Sequence, residues 1–271
     1  MNRQILIVIA AVLFISGVIW IGVSRGKSSH EGIHQTKSAD VENLVEDAGR
    51  LAADNELLKA KEAYEAILAQ YPDYENISDV QSSLEDLNLQ IISSSVQTSQ
   101  TAVHEIKSGD SIGKIAKLYG MTPELIKKSN GLKSDVIRIG QKLRVWKGHF
   151  NIFVDKSQNI LMLKDGDEIV KVYHVSTGTN NITPVGKFKI TSKLANPVWF
   201  NKGVAVPPES PQNVLGTRWM GFDIAGYGIH GTTEPESIGK QVTAGCVRMR
   251  NAEVEELYTL IPLGTEVTII D

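Results

Sequence analysis

Charge is sorted along this 271-residue chain in a way that no single mixed-surface domain needs. Residues 1–37 carry a net +3, residues 38–102 a net −10, residues 103–147 a net +6 and residues 148–271 a net −2. Such segregation points to a string of modules, each with its own surface chemistry. The length agrees, because at roughly 150 residues per domain it accommodates one large domain or two to three small ones. Hydrophobic residues at 42% and charged residues at 22% exclude wholesale disorder, and an overall charge of −3 excludes a polycation built for nucleic acid. A single cysteine excludes a disulfide framework and a Cys-rich zinc site. The histidines (His30, His34, His104, His149, His174 and His230) show no ligand spacing with it, so no metal or cofactor is expected. One thiol is left to explain.

The first block is dominated by Ile5–Val23, nineteen residues without a charge. At about 1.5 Å per residue such a helix nearly crosses the roughly 30 Å hydrocarbon core of a bilayer. It has no polar stripe, so residues 1–24 are expected to form a transmembrane signal anchor. A cleaved signal peptide would need a small-x-small site, which the following SRGKSSH does not supply. Arg3 on one flank and Arg25 and Lys27 on the other slightly favour the opposite orientation. The downstream chemistry instead sets the expectation of a single-pass protein of the cell membrane, its catalytic part on the external or periplasmic side. Residues 25–37 read as a polar linker.

The acidic block over 38–92 has helical spacing. Val41, Leu44, Val45, Ala48, Leu51 and Ala52 recur at threes and fours, and Ala60, Ala63, Tyr64, Ile67, Leu68 and Tyr71 share a face before Pro72. A third helix is expected near Ile77–Ile91. The A-x-x-x-Y…Y-P ending resembles the second helix of a tetratricopeptide repeat, although about three repeats are needed for independent stability. A helical spacer or dimerising hairpin is the plainer reading; a peptide-binding segment with a protein partner is the other. SSSVQTSQT then marks a second linker over 93–102.

Residues 103–147 predict strand–helix–helix–strand. An alternating strand ends at Gly109-Asp110-Ser111, where Asp110 or Ser111 can cap a helix carrying Ile112, Ile115, Ala116 and Tyr119. Thr122-Pro123-Glu124 starts a second helix, Asn130-Gly131 stops it, and Gly140 precedes a closing strand over Gln141–Trp146. The GDS turn, the IAKLYG helix, the SNGL stop and the final IGQKLRV resemble the LysM family across the whole segment. That resemblance implies binding of N-acetylglucosamine-containing glycans such as peptidoglycan. The implied groove has Gly109, Asp110 and Ser111 on one side and Val136, Ile137 and Arg138 on the other. The +6 charge suits an acidic wall polymer.

From 148 to 271 the pattern changes to short β runs punctuated by Gly and Pro, predicting a mainly-β, antiparallel sandwich or barrel-like domain. One helix is expected over Asn251–Leu260 and a last strand over Thr265–Ile270. The fold class is thus multidomain: membrane helix, α-helical spacer, α/β module and mainly-β head. The chemistry concentrates in Gly228-Ile229-His230-Gly231-Thr232 and Thr243-Ala244-Gly245-Cys246-Val247-Arg248-Met249. An imidazole can take a thiol proton to give a thiolate–imidazolium pair, which would hold the Cys246 thiol below its free value of about 8.5. Gly245 allows a close approach of substrate, and backbone N–H groups beside Cys246 could stabilise an oxyanion. If residues 246–248 are extended, Arg248 faces the same way as Cys246 and could bind a substrate carboxylate. Taken alone, one Cys and one His fit a buried structural thiol beside a core histidine better than a catalytic pair.

The flanking residues decide between these. HGTTEPESIGKQVTAGCVRMRN resembles the catalytic motif of the YkuD-type L,D-transpeptidases, and VSTGTNNITPVGKFKIT, NPVWF and LGTRWMGF match further family positions. The resemblance implies Cys246 as nucleophile and His230 as general base and acid. It also implies Gly231 as the carbonyl orienting the imidazole, Gly245 and Cys246 as oxyanion donors, and Arg248 with Thr243, Ala244 and Thr232 as substrate contacts. Ala244 stands where many members have His, and Thr243 where Ser is commoner. The implied reaction forms an acyl-enzyme on a peptidoglycan stem peptide and passes it to the amine of a second stem, giving a 3→3 cross-link. Water as acceptor would make a carboxypeptidase, and a lipoprotein lysine an anchoring enzyme. A wall-binding scaffold without activity is the reading from a different class.

Overall fold

Among the described residues the helices come first. The computed structural model describes residues 30–201 and 203–271. Helix α1 runs over His30–Ala53, starting inside the stretch read as a linker. It ends at Asn55, whose φ of 62° is the left-handed turn that Asn tolerates, with the Glu56 N–H returning to Leu51 O at 2.9 Å. The expected membrane-spanning helix is corrected here: no helix among the described residues is long and apolar enough to cross a membrane. The apolar run that prompted it, and with it the expected membrane localisation, lies outside the described residues.

Residues 44–271 form one unit. Helices α2 (Leu57–Gln70) and α3 (Ile77–Ser93) pack against each other, burying Leu57, Ala60, Tyr64 and Ile67 on one and Val80, Leu84 and Leu87 on the other. The next module is strand β1 (Thr101–Glu105), helix α4 (Ile112–Tyr119), helix α5 (Pro123–Ser129) and strand β2 (Lys142–Trp146). The Ser111 hydroxyl accepts the Lys114 N–H at the start of α4, and Gly120 at φ 62° ends it. The Thr122 hydroxyl accepts the Leu125 N–H, with Pro123 at the first helical position of α5. Strands β1 and β2 pair antiparallel from Thr101↔Trp146 to Glu105↔Lys142.

The head is an eight-stranded sheet in the order β13-β11-β10-β7-β14-β3-β4-β5. Its strands are β3 (Phe150–Asp155), β4 (Ile160–Asp165), β5 (Glu168–His174), β7 (Gly186–Ala195), β10 (Arg218–Phe222), β11 (Gly228–His230), β13 (Val247–Arg248) and β14 (Glu266–Ile270). Two short ribbons accompany it, β6 (Thr177–Gly178) with β12 (Gln241–Thr243) and β8 (Trp199–Asn201) with β9 (Val204–Val206). The ten-residue β7 serves both halves: Gly186–Lys189 pair with β14, and residues 190–195 pair with β10. The expectation of a purely antiparallel sheet needs correction, because β11/β13 and β3/β14 are parallel. Alternation identifies a strand and its buried face but carries no information on a neighbour's direction. Helix α6 (Asn251–Leu260) buries Val254, Leu257 and Leu260.

These parts share a core. Buried Leu89 and Ile92 of α3, Ile115, Leu125 and Val145 of the small module, and Ile152, Leu163, Ile229 and Leu257 of the head belong to one continuous cluster. Polar contacts reinforce it: the Asn88 amide donates to Val170 O on edge strand β5 (3.3 Å), and Lys171 bridges Asp86 (2.7 Å) and Glu256 (3.2 Å). Helix α3 thus shields a sheet edge that would otherwise present open backbone groups. The second expected linker is pinned as well, since the buried Arg144 guanidinium donates to Ile91 O, Ile92 O and Val96 O at 3.1, 2.9 and 2.7 Å.

Candidate active site

The site grows from the register of three strands. Ile229 and Val247 are partners across the parallel β11/β13 join and are fully buried. One residue further, His230 pairs with Arg248, so both turn to the opposite face. Across the other edge of β11, His230 pairs with Trp219, whose indole stacks on the imidazole at 6.1 Å between centroids and 21° between planes. Gly228 makes room for that indole, because a Cβ there would lie 3.0 Å from its ring carbons and 2.5 Å from Met220 O.

His230 Nδ1 lies 2.6 Å from Gly231 O. A carbonyl only accepts, so Nδ1 carries the proton and Nε2 presents its lone pair. Burial pushes the imidazole down to about 4, the positive charge of Arg248 adds to this, and the Gly231 carbonyl opposes it. At neutral pH the ring is therefore uncharged.

Cys246 sits in a turn locked by Thr243. The Thr243 hydroxyl accepts the Gly245 N–H (3.2 Å) and donates to Cys246 O (2.7 Å). Gly245 has φ 118°, and a Cβ on it would lie 2.6 Å from the Tyr227 ring, so the turn demands glycine. On its other side, a Cβ on Gly178 would lie 3.0 Å from the Gly245 Cα. The Sγ of half-buried Cys246 lies 3.5 Å from Gly226 O. Burial raises the thiol's pKa, against the opposing pull of a Gly228 backbone hydrogen bond and the Arg248 charge. The expected thiolate–imidazolium pair is corrected accordingly: the ring is neutral, desolvation of the sulfur outweighs the Gly228 hydrogen bond and the Arg248 charge, and the resting groups are thiol and imidazole. The N–H of Gly245, the expected oxyanion donor, is given to the Thr243 hydroxyl at 3.2 Å.

Arg248 is buried, not open to solvent. Its Nη1 donates to Glu234 Oε2 and Ser237 Oγ, both at 2.9 Å, and its backbone exchanges two 2.8 Å hydrogen bonds with Ser176. Its Nε is buried without a hydrogen-bond partner among the described residues. The expected open carboxylate contact is thus occupied by Glu234. Thr232 is buried, its hydroxyl accepting the Glu234 N–H at 2.9 Å, whereas Ala244 is exposed. In the small module, Ile106 exchanges backbone hydrogen bonds with Gly140 and Gln141 (both 2.9 Å), so the loops 107–111 and 136–141 leave the β1/β2 ribbon at the same end. Gly109, Ser111, Val136 and Arg138 are exposed there, and Ile137 is half-buried. Asp110 is held by the Lys107 N–H (2.8 Å) and His104 Nε2 (3.1 Å), leaving Ser111 as the helix cap.

Sequence reasoning did not single out Trp219, Tyr227, Glu234 or Ser237. Alternation from the core residue Met220 signals Trp219; loop residues such as Tyr227 and Glu234 carry no periodic signal.

The L,D-transpeptidase catalytic domain family profile matches residues 150–269, and the LysM domain profile matches residues 104–146. A Bacillus subtilis (strain 168) protein named as an L,D-transpeptidase, YqjB, is 44% identical over 126 residues, covering 44% of this chain and 70% of that protein. A Bacillus licheniformis protein similarly named, YkuD, is 30% identical over 62% of this chain and 98% of its own length. The solved structure of an L,D-transpeptidase from Mycobacterium tuberculosis H37Rv aligns with a TM-score of 0.40 and 16% identity, over 49% of this chain and 63% of that one. This chain therefore spans less than two thirds of that structure's length.

Proposed function

The chain belongs to the YkuD-type L,D-transpeptidase family, and from that premise we propose that it acylates itself on Cys246 with a peptidoglycan stem peptide and transfers the acyl group to a second stem. His230 Nε2 takes the thiol proton as sulfur attacks the carbonyl of the third stem residue, forming the S–C bond. The same proton passes to the departing D-Ala amine as the C–N bond breaks. The side-chain amine of the acceptor then loses a proton to Nε2, attacks the thioester and releases the thiol, leaving a 3→3 cross-link. Starting from a neutral pair keeps the resting sulfur unreactive and generates the nucleophile only when substrate is seated.

In this reading the Cys246 backbone N–H is the oxyanion donor, and Gly231 fixes the histidine. Arg248, held by Glu234, supplies positive potential beside both reactive groups, and Thr232, Thr243 and Ala244 line the approach. The loops bearing Gly109–Ser111 and Val136–Arg138 grip the glycan strand, which makes this a cell-wall-associated enzyme of module 103–147 and head 148–271. One observation carries the reading: the 2.6 Å Nδ1–Gly231 bond leaves Nε2 as an acceptor on the face His230 shares with Arg248. Incubating the protein with disaccharide-tetrapeptides tests it. Tripeptide–tetrapeptide dimers joined 3→3, with one D-Ala released per dimer, are expected, and their absence, or their undiminished formation by Cys246→Ala, would overturn it.

A further inference from the structure

We infer that Asn251 is the positioning residue that sets the tautomer of His230, acting through a single peptide plane. The inference rests on the proposed role of His230. Asn251 opens helix α6 and lies 21 positions beyond the histidine in sequence. Its Oδ1 accepts the N–H of Thr232 (3.0 Å) and of Thr217 (3.2 Å), and its Nδ2 donates to Thr232 O (2.8 Å). The Thr232 N–H belongs to the same peptide group as the Gly231 carbonyl. In a trans peptide the two point in opposite directions, so holding the N–H aims the carbonyl. That carbonyl meets His230 Nδ1 at 2.6 Å.

The carboxamide is fitted to this task. A Cβ on Gly231 or on Gly216 would lie 2.2 Å from Asn251 Oδ1, so both glycines are glycine because the amide lies against their backbone. The preceding peptide plane is held separately, where the Gly231 N–H donates to Arg218 O (3.1 Å) and the Met249 N–H to His230 O (2.8 Å). With Oδ1 removed, the Thr232 N–H loses its acceptor, the plane is free to tilt, and the carbonyl no longer selects Nδ1–H over Nε2–H. An Nε2–H tautomer has no lone pair facing a thiol and is inert as a base.

The test uses the full chain with 15N-labelled histidine, the His230 signals being identified by their loss in His230→Gln. Asn251→Leu removes both acceptor and donor, and Asn251→Asp keeps the acceptor. Wild type and Asn251→Asp are expected to show Nδ1–H alone. Asn251→Leu should show mixed tautomers and carbapenem acylation slowed on the order of 100-fold. Pure Nδ1–H and undiminished acylation in Asn251→Leu would overturn the inference. Should Asn251→Leu lose its cooperative melt, Asn251→Asp decides: retained Nδ1–H supports the inference and a lost one overturns it. A wild type that is never acylated would defeat the proposed function while the tautomer measurement still judged Asn251.

Discussion

Desolvation moves the two reactive side chains apart in proton affinity, His230 down and Cys246 up, so the proton rests on sulfur. Alkylation of Cys246 by iodoacetamide in the free enzyme should therefore titrate above the ordinary thiol value of about 8.5. A midpoint below that value would show a resting thiolate. The histidine also links stability to pH. Its folded value of about 4 lies under the ordinary 6.5, so the unfolded chain binds the proton first as pH falls. Stability is full above 6.5 and is lost as pH drops toward 4, by on the order of 3 kcal/mol. Urea unfolding from pH 7 to pH 4 should show that loss in wild type and a flatter profile in His230→Gln; identical slopes would contradict it.

At the scale of elements, one buried guanidinium joins three of them. Arg144 on β2 closes the last turn of α3 and holds Val96 of the connecting segment. Its positive charge suits the negative end of a helix, and its loss strands three carbonyls. Arg144→Met should cost about 2–4 kcal/mol and open residues 94–100 to protease, as read by urea titration and limited proteolysis. Unaltered cleavage and stability would show the junction to be held elsewhere. The elements themselves were legible: the caps at Ser111 and Thr122 and the stop at Asn130 follow from local chemistry that tertiary packing does not override. The polar SSSVQTSQT gave no sign that its Val96 carbonyl is held, because the side chain that pins it comes from 144. Strand direction in β11/β13 was equally hidden, being settled by packing at long range. The flanking residues pointed to Cys246, His230 and Gly231; Glu234's hold on Arg248 could not be read, because a loop carboxylate has no period.

Over residues 44–271, at the scale of the molecule, the charge blocks mark surfaces and not separate bodies, since one apolar core runs from α3 through the small module into the sheet of the head. The proposed glycan grip and the proposed acyl-transfer site are therefore carried on one frame. Val136 and Ile139, each 75% exposed, offer apolar surface beside Arg138 without serving that core. Val136→Asp with Ile139→Asp should weaken binding to isolated sacculi about tenfold, near 1.4 kcal/mol, while carbapenem acylation stays unchanged. Sacculus binding equal to wild type would remove the glycan role from those loops.

Acylation itself is the decisive observation. Intact-mass and peptide-mapping spectrometry of the full chain treated with a carbapenem should place one stoichiometric adduct on Cys246, absent in Cys246→Ala and formed far more slowly in His230→Gln. An adduct on any other residue, or one that survives Cys246→Ala, would contradict the account.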